Sequence, residues 1–208
     1  MIRLHDYWRS SAAYRLRIAL NLMGVDYDSV KVELLTGAHK TPAHLALNPQ
    51  GLVPVLEIDG QVMTQSLAII EYLDEVHGAG FLPKHPVGRA RVRALSYAIA
   101  MEIAPVCNLA VRTYAAEHSA GTLTADSWQS HFTTKGLGAF EQMLAAGSGE
   151  FCHGDEISMA DICLVPQLYN ARRAGVDLGP MPLIRAIDAR LAAIPAVAKS
   201  LPEAVQGG

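Results

Sequence analysis

Hydrophobic and polar positions alternate in short blocks through the first 80 residues. Residues 2–7 have the pattern of a short strand, and apolar residues at helical spacing predict a helix over 12–23. Alternation with a period of two predicts a second strand within 26–34, and a short apolar run predicts a helix over 42–47. This part of the chain therefore begins with a strand, a helix, a strand and a helix.

Asp59-Gly60 lies between two apolar runs, and this dipeptide is typical of a tight β-hairpin. A helical pattern over residues 66–76 follows the hairpin. Together with the preceding elements, the hairpin and this helix predict a mixed four-stranded sheet that is covered by helices.

The pattern changes after a segment at residues 77–90 that is rich in glycine and proline. Apolar residues then recur at helical spacing in four segments, at residues 92–106, 125–146, 158–174 and 182–194. Pro105 falls inside the first of these segments and predicts a kink in its helix. We expect an α/β domain over 1–80, a linker over 81–86 and an all-α domain over 87–208.

Composition and charge favour a small-molecule partner over a nucleic acid or a membrane. The chain has 208 residues, of which 50% are hydrophobic and 18% are charged, and its net charge is -3. Its 17 lysines and arginines are scattered, so no polybasic run is available to bind a phosphate backbone or an anionic membrane. No signal peptide or membrane-spanning apolar segment is evident, so we expect a soluble cytoplasmic protein.

The cysteines and histidines do not have the spacing of metal ligands. The three cysteines, Cys107, Cys152 and Cys163, are odd in number and show no zinc-binding pattern. The eight histidines show neither an HExxH motif nor a paired ligand spacing. We interpret the cysteines as small buried apolar residues of a protein from a reducing compartment, and we expect no metal.

Two serines, Ser10 and Ser11, stand at the start of the first predicted helix with Arg9 and Arg15 nearby. Either serine can cap the helix, and a cap needs only one hydroxyl group. Positive charge at a helix N-terminus lowers the pKa of a thiol, but no cysteine lies in this stretch. A thiol that is activated here would therefore arrive with a ligand.

Two further segments have the pattern of a binding site for an extended peptide. Pro54 begins a predicted strand, and a cis Val53-Pro54 bond would turn the backbone N–H and C=O of Val53 outward; an ordinary trans bond is the alternative. Gln65 and Ser66 precede an apolar helical run. Ser66 is there either a plain helix cap or part of a site for a carboxylate.

The chain carries four motifs, in this order, that resemble those of the zeta class of glutathione transferases: SSAAYRLRIALNLMG, NPQGLVPVLEIDG, QSLAIIEYLDE and ISMADICLVPQ. This class includes maleylacetoacetate and maleylpyruvate isomerases, and the resemblance runs essentially end to end. It implies a thioredoxin-like N-terminal domain, an all-α C-terminal domain and a homodimer with the active site between the domains. It also implies glutathione as the cofactor.

The resemblance assigns residues to the parts of glutathione by their position. Ser10 and Ser11 would flank its sulfur, with Ser11 as the hydrogen-bond donor. Val53 and a cis Pro54 would pair with its cysteinyl backbone. Further contacts are implied for Gln65 and Ser66 at the γ-glutamyl end and for His39. Asn108, in the predicted long helix, is an additional candidate for a polar contact with glutathione.

Arginine is suited to a bidentate grip on a carboxylate, so the arginines are candidates for binding an anionic substrate. Arg9 lies beside the serines, and Arg173 occupies the position where the resembling family places a substrate-binding arginine; Arg172 is the competing candidate. The chain departs from many relatives at Ala12, where they have cysteine, and at Ala104, where some maleylpyruvate isomerases have histidine.

Three functions fit these residues. The resemblance implies a glutathione-dependent isomerase of maleylacetoacetate or maleylpyruvate in aromatic catabolism, in which a thiolate adds reversibly to a cis double bond. The first alternative is a transferase or dehalogenase that consumes glutathione on an electrophile such as an α-halo acid, and the second is a non-enzymatic glutathione-binding protein. We favour the isomerase, because both candidate arginines suit a substrate with two negative charges.

Overall fold

A computed structural model describes residues 1–206 of the chain. Its α-helices are α1 Ser11–Leu22, α2 Pro42–Leu47, α3 Ser66–His77, α4 Pro86–Tyr97, α5 Leu109–Glu117, α6 Ala125–Ala145, α7 Met159–Arg173, α8 Pro182–Ala192, α9 Pro195–Lys199 and α10 Pro202–Gln206. Its strands are β1 Arg3–Asp6, β2 Asp28–Lys31, β3 Val55–Ile58 and β4 Gln61–Thr64. The chain also forms a 3-10 helix at Ala38–Lys40 and a π-helical turn at Ala98–Ile103.

The four strands form one sheet in the order β2-β1-β3-β4. β1 pairs in parallel with β2 and antiparallel with β3, and β3 pairs antiparallel with β4. Helices α1 and α3 pack against each other, and their apolar side chains are buried together with those of β1 and β3. The predicted mixed four-stranded sheet with covering helices is therefore confirmed.

A two-residue turn joins β3 to β4. Asp59 has a φ of 54° and Gly60 a φ of 72°, the pair of left-handed conformations that a type I′ turn requires. The predicted hairpin is therefore confirmed. β2 is shorter than the alternation within 26–34 predicts, because the chain turns at Leu34, whose carbonyl accepts a hydrogen bond from Gly37 N–H at 3.1 Å.

The helix that the sequence predicts through Pro105 is not continuous. After the π-helical turn, residues 104–107 form turns, and α5 begins only at Leu109. Pro105 has no N–H with which to continue the helical ladder, and Asn108 caps the new helix by accepting a hydrogen bond from Ala110 N–H at 3.0 Å. The prediction of a kink within one long helix is therefore wrong.

The described chain packs into two compact units, Met1–Phe81 together with residues 192–206, and Leu82–Leu191. The sheet lies in the first unit, and the second unit is helical. The domain bounds predicted from the sequence remain a prediction, because a packing unit is not by itself an independently folding domain. Within residues 1–206, no helix is both long and apolar enough to cross a bilayer.

The C-terminal segment joins the first unit through contacts with α1. Helix α9 packs against α1, and Arg17 Nε donates a hydrogen bond to the carbonyl oxygen of Ser200 at 3.1 Å. Asn21 Nδ2 donates a second one to Ser200 Oγ at 2.7 Å. These polar contacts fix the segment against the helix that begins at the two candidate serines.

Candidate functional site

The register of the sheet brings three candidate segments to one edge. β1 ends at Asp6, and its residue His5 lies opposite Val55, the first residue of β3. Val55 also lies opposite Thr64, the last residue of β4. The chain after β1, the chain before β3 and the chain after β4 therefore meet at the same edge, and they carry Ser10 and Ser11, Val53 and Pro54, and Gln65 and Ser66.

A fourth candidate segment leaves the sheet at the same edge. β2 runs parallel to β1, and its last residue, Lys31, lies opposite Asp6. The chain that follows leads to His39 in the 3-10 helix. An added Cβ at Gly51 would lie 3.3 Å from the carbonyl oxygen of His39, so the His39 turn packs closely on the loop before β3.

The two serines have different positions at the start of α1. Ser10 is the N-cap, and its Oγ accepts a hydrogen bond from Ala13 N–H at 3.2 Å. Ser11 is the first residue of the helix and is half-buried. The structure thus assigns the cap to Ser10, while Ser11 stands in the first turn, where backbone N–H groups give a partial positive charge.

The Val53-Pro54 peptide bond is cis, which confirms the conformation that the resemblance implies. The carbonyl oxygen of the preceding Leu52 lies 2.9 Å from His44 Nε2 and accepts a hydrogen bond from Asn48 Nδ2, also at 2.9 Å. The Val53 backbone forms no hydrogen bond to any other residue within 1–206. Its N–H and C=O are therefore both unpaired in the described chain, as the predicted pairing with a peptide backbone requires.

Gln65 and Ser66 stand at the N-terminus of α3, but neither caps it through a side chain. Gln65 has a φ of 70°, in the left-handed region that residues other than glycine rarely adopt, and such conformations cluster at functional sites. Its Nε2 donates a hydrogen bond to Gln50 Oε1 at 2.8 Å. Ser66 is the first helical residue, and its Oγ accepts a hydrogen bond from Arg15 Nη1 at 3.2 Å, so its interpretation as a plain cap is wrong.

His39 is half-buried beside this edge. Burial lowers the pKa of its imidazole, and the positive charge of Lys40 lowers it further, so the neutral form is favoured at pH 7. Its Nδ1 is buried, and no atom of residues 1–206 forms a hydrogen bond with it. A buried ring nitrogen without a partner is unfavourable and fits the predicted polar contact with a ligand.

The two candidate arginines of α7, Arg172 and Arg173, differ in their contacts with the rest of the chain. Arg172 is engaged in an ion pair with Asp188 of α8. Arg173 is exposed, and its guanidinium lies 5.8 Å from the centre of the Tyr169 ring. Within the described chain Arg173 has no carboxylate partner, so it is the better of the two candidates for an anionic substrate.

Arg9 lies just before the two serines and is held by an aromatic ring. Its guanidinium carbon is 5.2 Å from the centre of the Trp8 ring, a distance at which cation–π attraction operates. Over residues 1–206 it forms no ion pair, so its charge remains uncompensated close to the N-terminus of α1.

Asn108 lies in the second unit as the exposed N-cap of α5. Its Oδ1 is used by that cap, and its contact with glutathione stays a prediction. Sequence reasoning missed two residues of the sheet edge, the Gln50 partner of Gln65 and the Arg15 partner of Ser66. Gln50 stands in the quoted NPQG motif and Arg15 was noted only for its charge, since neither pattern signals a partner that is distant in sequence.

The three cysteines are not among the candidate site residues. Cys152 and Cys163 are buried, as predicted, whereas Cys107 is half-buried. Burial raises the pKa of the Cys107 thiol and raises that of Cys152 strongly, which disfavours their thiolate forms. Across residues 1–206, no group of three histidine, cysteine or acidic side chains is placed to hold a metal ion.

Comparison with known proteins finds two family domains that match successive parts of the chain. Residues 9–76 match the glutathione S-transferase N-terminal domain, and residues 134–198 match the glutathione S-transferase C-terminal domain. A maleylacetoacetate isomerase of Rhizobium meliloti (strain 1021) is 59% identical over 203 residues, which are 96% of this chain and 95% of the relative.

Two solved structures are similar over almost the whole chain. A holo maleylpyruvate isomerase, described as a bacterial glutathione S-transferase in zeta class, is 40% identical with a TM-score of 0.92, and 98% of each chain is covered. The second is a maleylacetoacetate isomerase from Anaeromyxobacter dehalogenans 2CP-1 with bound dicarboxyethyl glutathione and citrate in its active site. It is 40% identical with a TM-score of 0.88, and the match covers 99% of this chain and 96% of that chain. The chain thus belongs to the glutathione S-transferase family and, within it, to the zeta class.

Proposed function

We propose that the protein is a glutathione-dependent cis–trans isomerase of maleylacetoacetate or maleylpyruvate. The main observation in support is that the segments with Ser10, Val53 and Gln65 lie together at one edge of the sheet. The names of its relatives support the same activity, because they are isomerases of these two substrates.

The sheet edge fits the parts of an extended γ-glutamyl tripeptide. The backbone of Val53, which has no partner within residues 1–206, suits the cysteinyl backbone of glutathione. Gln65 and Ser66 at the N-terminus of α3 suit the γ-glutamyl carboxylate, since a helix N-terminus favours an anion. His39, with its buried and unpaired Nδ1, suits a further polar contact.

Glutathione supplies a thiolate that adds reversibly to a carbon of the cis double bond, which allows rotation about the resulting single bond before the thiol is returned unchanged. Ser11 donates its hydroxyl hydrogen to the sulfur and so favours the ionised form. The positive end of α1 and the charge of Arg9 act in the same direction. Ser10 fixes the first turn of α1 as its cap.

Anionic substrates of this kind require positive side chains. Arg173 provides a guanidinium with no carboxylate partner within the described chain, and we assign it to the substrate carboxylate in preference to Arg172. Arg9 contributes a second guanidinium that stabilises negative charge as it develops on the carbonyl oxygen during addition. Dicarboxyethyl glutathione in a related active site is chemically a thiol adduct of a four-carbon dicarboxylic alkene, which supports this class of substrate.

A measurement of stoichiometry tests the proposal against its two alternatives. Purified protein is mixed with maleylpyruvate, or with maleylacetone in place of maleylacetoacetate, and with glutathione far below the substrate concentration. The isomerase converts either substrate fully to its trans form, which is followed by ultraviolet absorbance, because glutathione is recycled. A transferase or dehalogenase stops when glutathione is used up, and a binding protein never starts.

We propose further that the enzyme is a cytoplasmic homodimer, as the zeta-class relationship suggests. Light scattering on the purified protein tests the dimer, with twice the mass of one chain as the expected result. The mass of a single chain at the concentrations used in the assay would contradict it.

A further inference from the structure

Helix α1 buries two guanidinium groups, and the one of Arg17 is fully compensated. Arg17 is 1% exposed, and its Nη1 donates hydrogen bonds to both carboxylate oxygens of Asp6, at 2.8 and 2.7 Å. Its Nε donates to the carbonyl oxygen of Ser200 at 3.1 Å, and its Nη2 donates to that of Trp8 at 2.9 Å. A charge that is buried in this way has both its counter-ion and its acceptors.

Arg15, two residues earlier, is almost as deeply buried but lacks a counter-ion. It is 4% exposed, and over residues 1–206 it forms no ion pair. Its single hydrogen bond there runs from Nη1 to Ser66 Oγ at 3.2 Å, while its Nε is buried without any partner. Arg15 therefore places an uncompensated positive charge directly behind Ser66.

The Arg15 charge lies beside the N-terminus of α3. Ser66 is 5% exposed and is the first residue of this twelve-residue helix, whose initial N–H groups carry a partial positive charge. A buried cation without an anion is strongly unfavourable, and a second positive pole beside it adds to the cost. Both features are stabilised together when an anion binds at the start of α3.

We propose that Arg15 is a positioning residue that makes Ser66 an oriented hydrogen-bond donor for the γ-glutamyl carboxylate of glutathione. A guanidinium can only donate, so Arg15 occupies a lone pair of Ser66 Oγ and leaves the Ser66 hydroxyl hydrogen for another acceptor. The same guanidinium supplies the charge that balances the bound carboxylate. The inference rests on the proposed function, because it takes glutathione as the ligand.

Equilibrium binding with two probes tests this role without relying on turnover. The probes are glutathione and an analogue in which the α-carboxylate of the γ-glutamyl residue is converted to an amide, both measured by isothermal titration calorimetry. For the wild-type protein we expect the amide to bind roughly 10- to 100-fold more weakly, the range for a hydrogen bond to a charged group. The Arg15→Gln protein keeps a donor for Ser66 but loses the charge, and should bind the two probes within about 3-fold of each other.

Further variants separate positioning from a general loss of structure. Arg15→Lys retains the charge and should recover part of the preference for glutathione over the amide. The combined loss of affinity in Arg15→Gln with Ser66→Ala should be smaller than the sum of the two single losses, because Arg15 acts through Ser66. In the assay, Arg15→Gln should raise KM for glutathione while kcat at saturating glutathione is kept. Arg17→Lys is the matched control: it should lower stability and leave the preference between the probes unchanged.

The outcomes distinguish failure of this inference from failure of the proposed function. If the wild-type protein does not bind glutathione, both are overturned. If it binds glutathione but Arg15→Gln still discriminates against the amide as the wild type does, only the role of Arg15 is overturned. If the Arg15 variants do not fold by circular dichroism, the wild type and Ser66→Ala decide. Equal affinity of the wild type for the two probes, or an undiminished preference for glutathione in Ser66→Ala, overturns the inference, because Arg15 acts through Ser66. Loss of the preference in Ser66→Ala supports it.

Discussion

Gln65 Nε2 donates a hydrogen bond to Gln50 Oε1 at 2.8 Å, and this contact joins the start of α3 to the loop before β3. Gln65 belongs to the predicted γ-glutamyl site, and Gln50 is close in sequence to Val53, which is predicted to pair with the cysteinyl backbone. The contact therefore fixes the spacing between two parts of the predicted glutathione site.

Loss of this contact should weaken glutathione binding. In a Gln50→Ala variant we expect the Kd of glutathione to rise about 2- to 10-fold, which corresponds to one neutral hydrogen bond. Calorimetric titration measures the change. Gln61→Ala, which alters an exposed glutamine at the start of β4, is the control. Equal affinities of the Gln50 and Gln61 variants would show that the contact has no part in binding.

Ser10 and Ser11 should separate stability from catalysis. Ser10→Ala removes the cap of α1 and should lower the free energy of unfolding by about 1 kcal/mol, measured by urea denaturation. Ser11→Ala leaves this cap in place and should lower kcat roughly 10- to 100-fold, because a donor to the thiolate is lost. It should also raise the pKa of bound glutathione, followed by thiolate absorbance against pH. An unchanged thiolate titration in Ser11→Ala would contradict its assigned role.

Substitution of Arg173 should affect catalysis much more than substitution of Arg172. Arg173→Ala should raise KM for the anionic substrate and lower kcat/KM roughly 10- to 100-fold, as expected for a lost charge-assisted hydrogen bond. Arg172→Ala breaks a surface ion pair with Asp188, which is worth at most about 1 kcal/mol of stability, and should affect kcat/KM much less. Steady-state kinetics on both variants measures the two changes in kcat/KM. A larger kinetic loss in Arg172→Ala would reverse the assignment.

The pH dependence of stability should contain a contribution from Glu57. The hydrogen bond with His5, 2.6 Å between Nε2 and Oε1, lowers the pKa of this carboxyl below its usual value, and the nearby Arg3 adds to the effect. Because the folded pKa lies below the unfolded one, the stabilisation is present above about pH 4.3 and is lost as the pH falls through the folded pKa.

The Glu57→Gln variant should therefore have a lower Tm than the wild type at pH 7, and the difference should shrink as the pH is lowered toward 3. Thermal unfolding followed by circular dichroism across this range measures it. Glu117→Gln, at an exposed glutamate of α5, is measured in parallel as the control. A constant difference between Glu57→Gln and the wild type would exclude the linkage.

Local signals in the sequence were sufficient for most of the fold. Helix α2 spans the predicted residues because Thr41 caps it and Pro42 occupies its first turn, and both signals are local. The hairpin followed from Asp59-Gly60 for the same reason. The break near Pro105 did not follow, since a proline pattern does not reveal whether a helix bends or stops and starts again at a cap such as Asn108.

The sequence predicted which segments form the candidate site, but it did not predict which residues of those segments contact each other. Arg15 and Ser66 are 51 residues apart, and helical periodicity places Arg15 on a face without naming its partner. Arg172 and Arg173 are neighbours in the sequence, so only the position of Asp188 on α8 distinguishes them. Such contacts depend on how elements pack, which residue patterns alone do not specify.

The hydrogen bond between Arg17 and Ser200 links residues that are 183 positions apart, and this has a consequence for the order of events during translation. The sheet and α1 leave the ribosome early, but the acceptor for Arg17 Nε is synthesised only after the entire helical unit. Arg17 also holds the carbonyl of Trp8, just before the two serines. In the nascent chain, Arg17 Nε therefore lacks this acceptor until the segment that follows the helical unit has been synthesised.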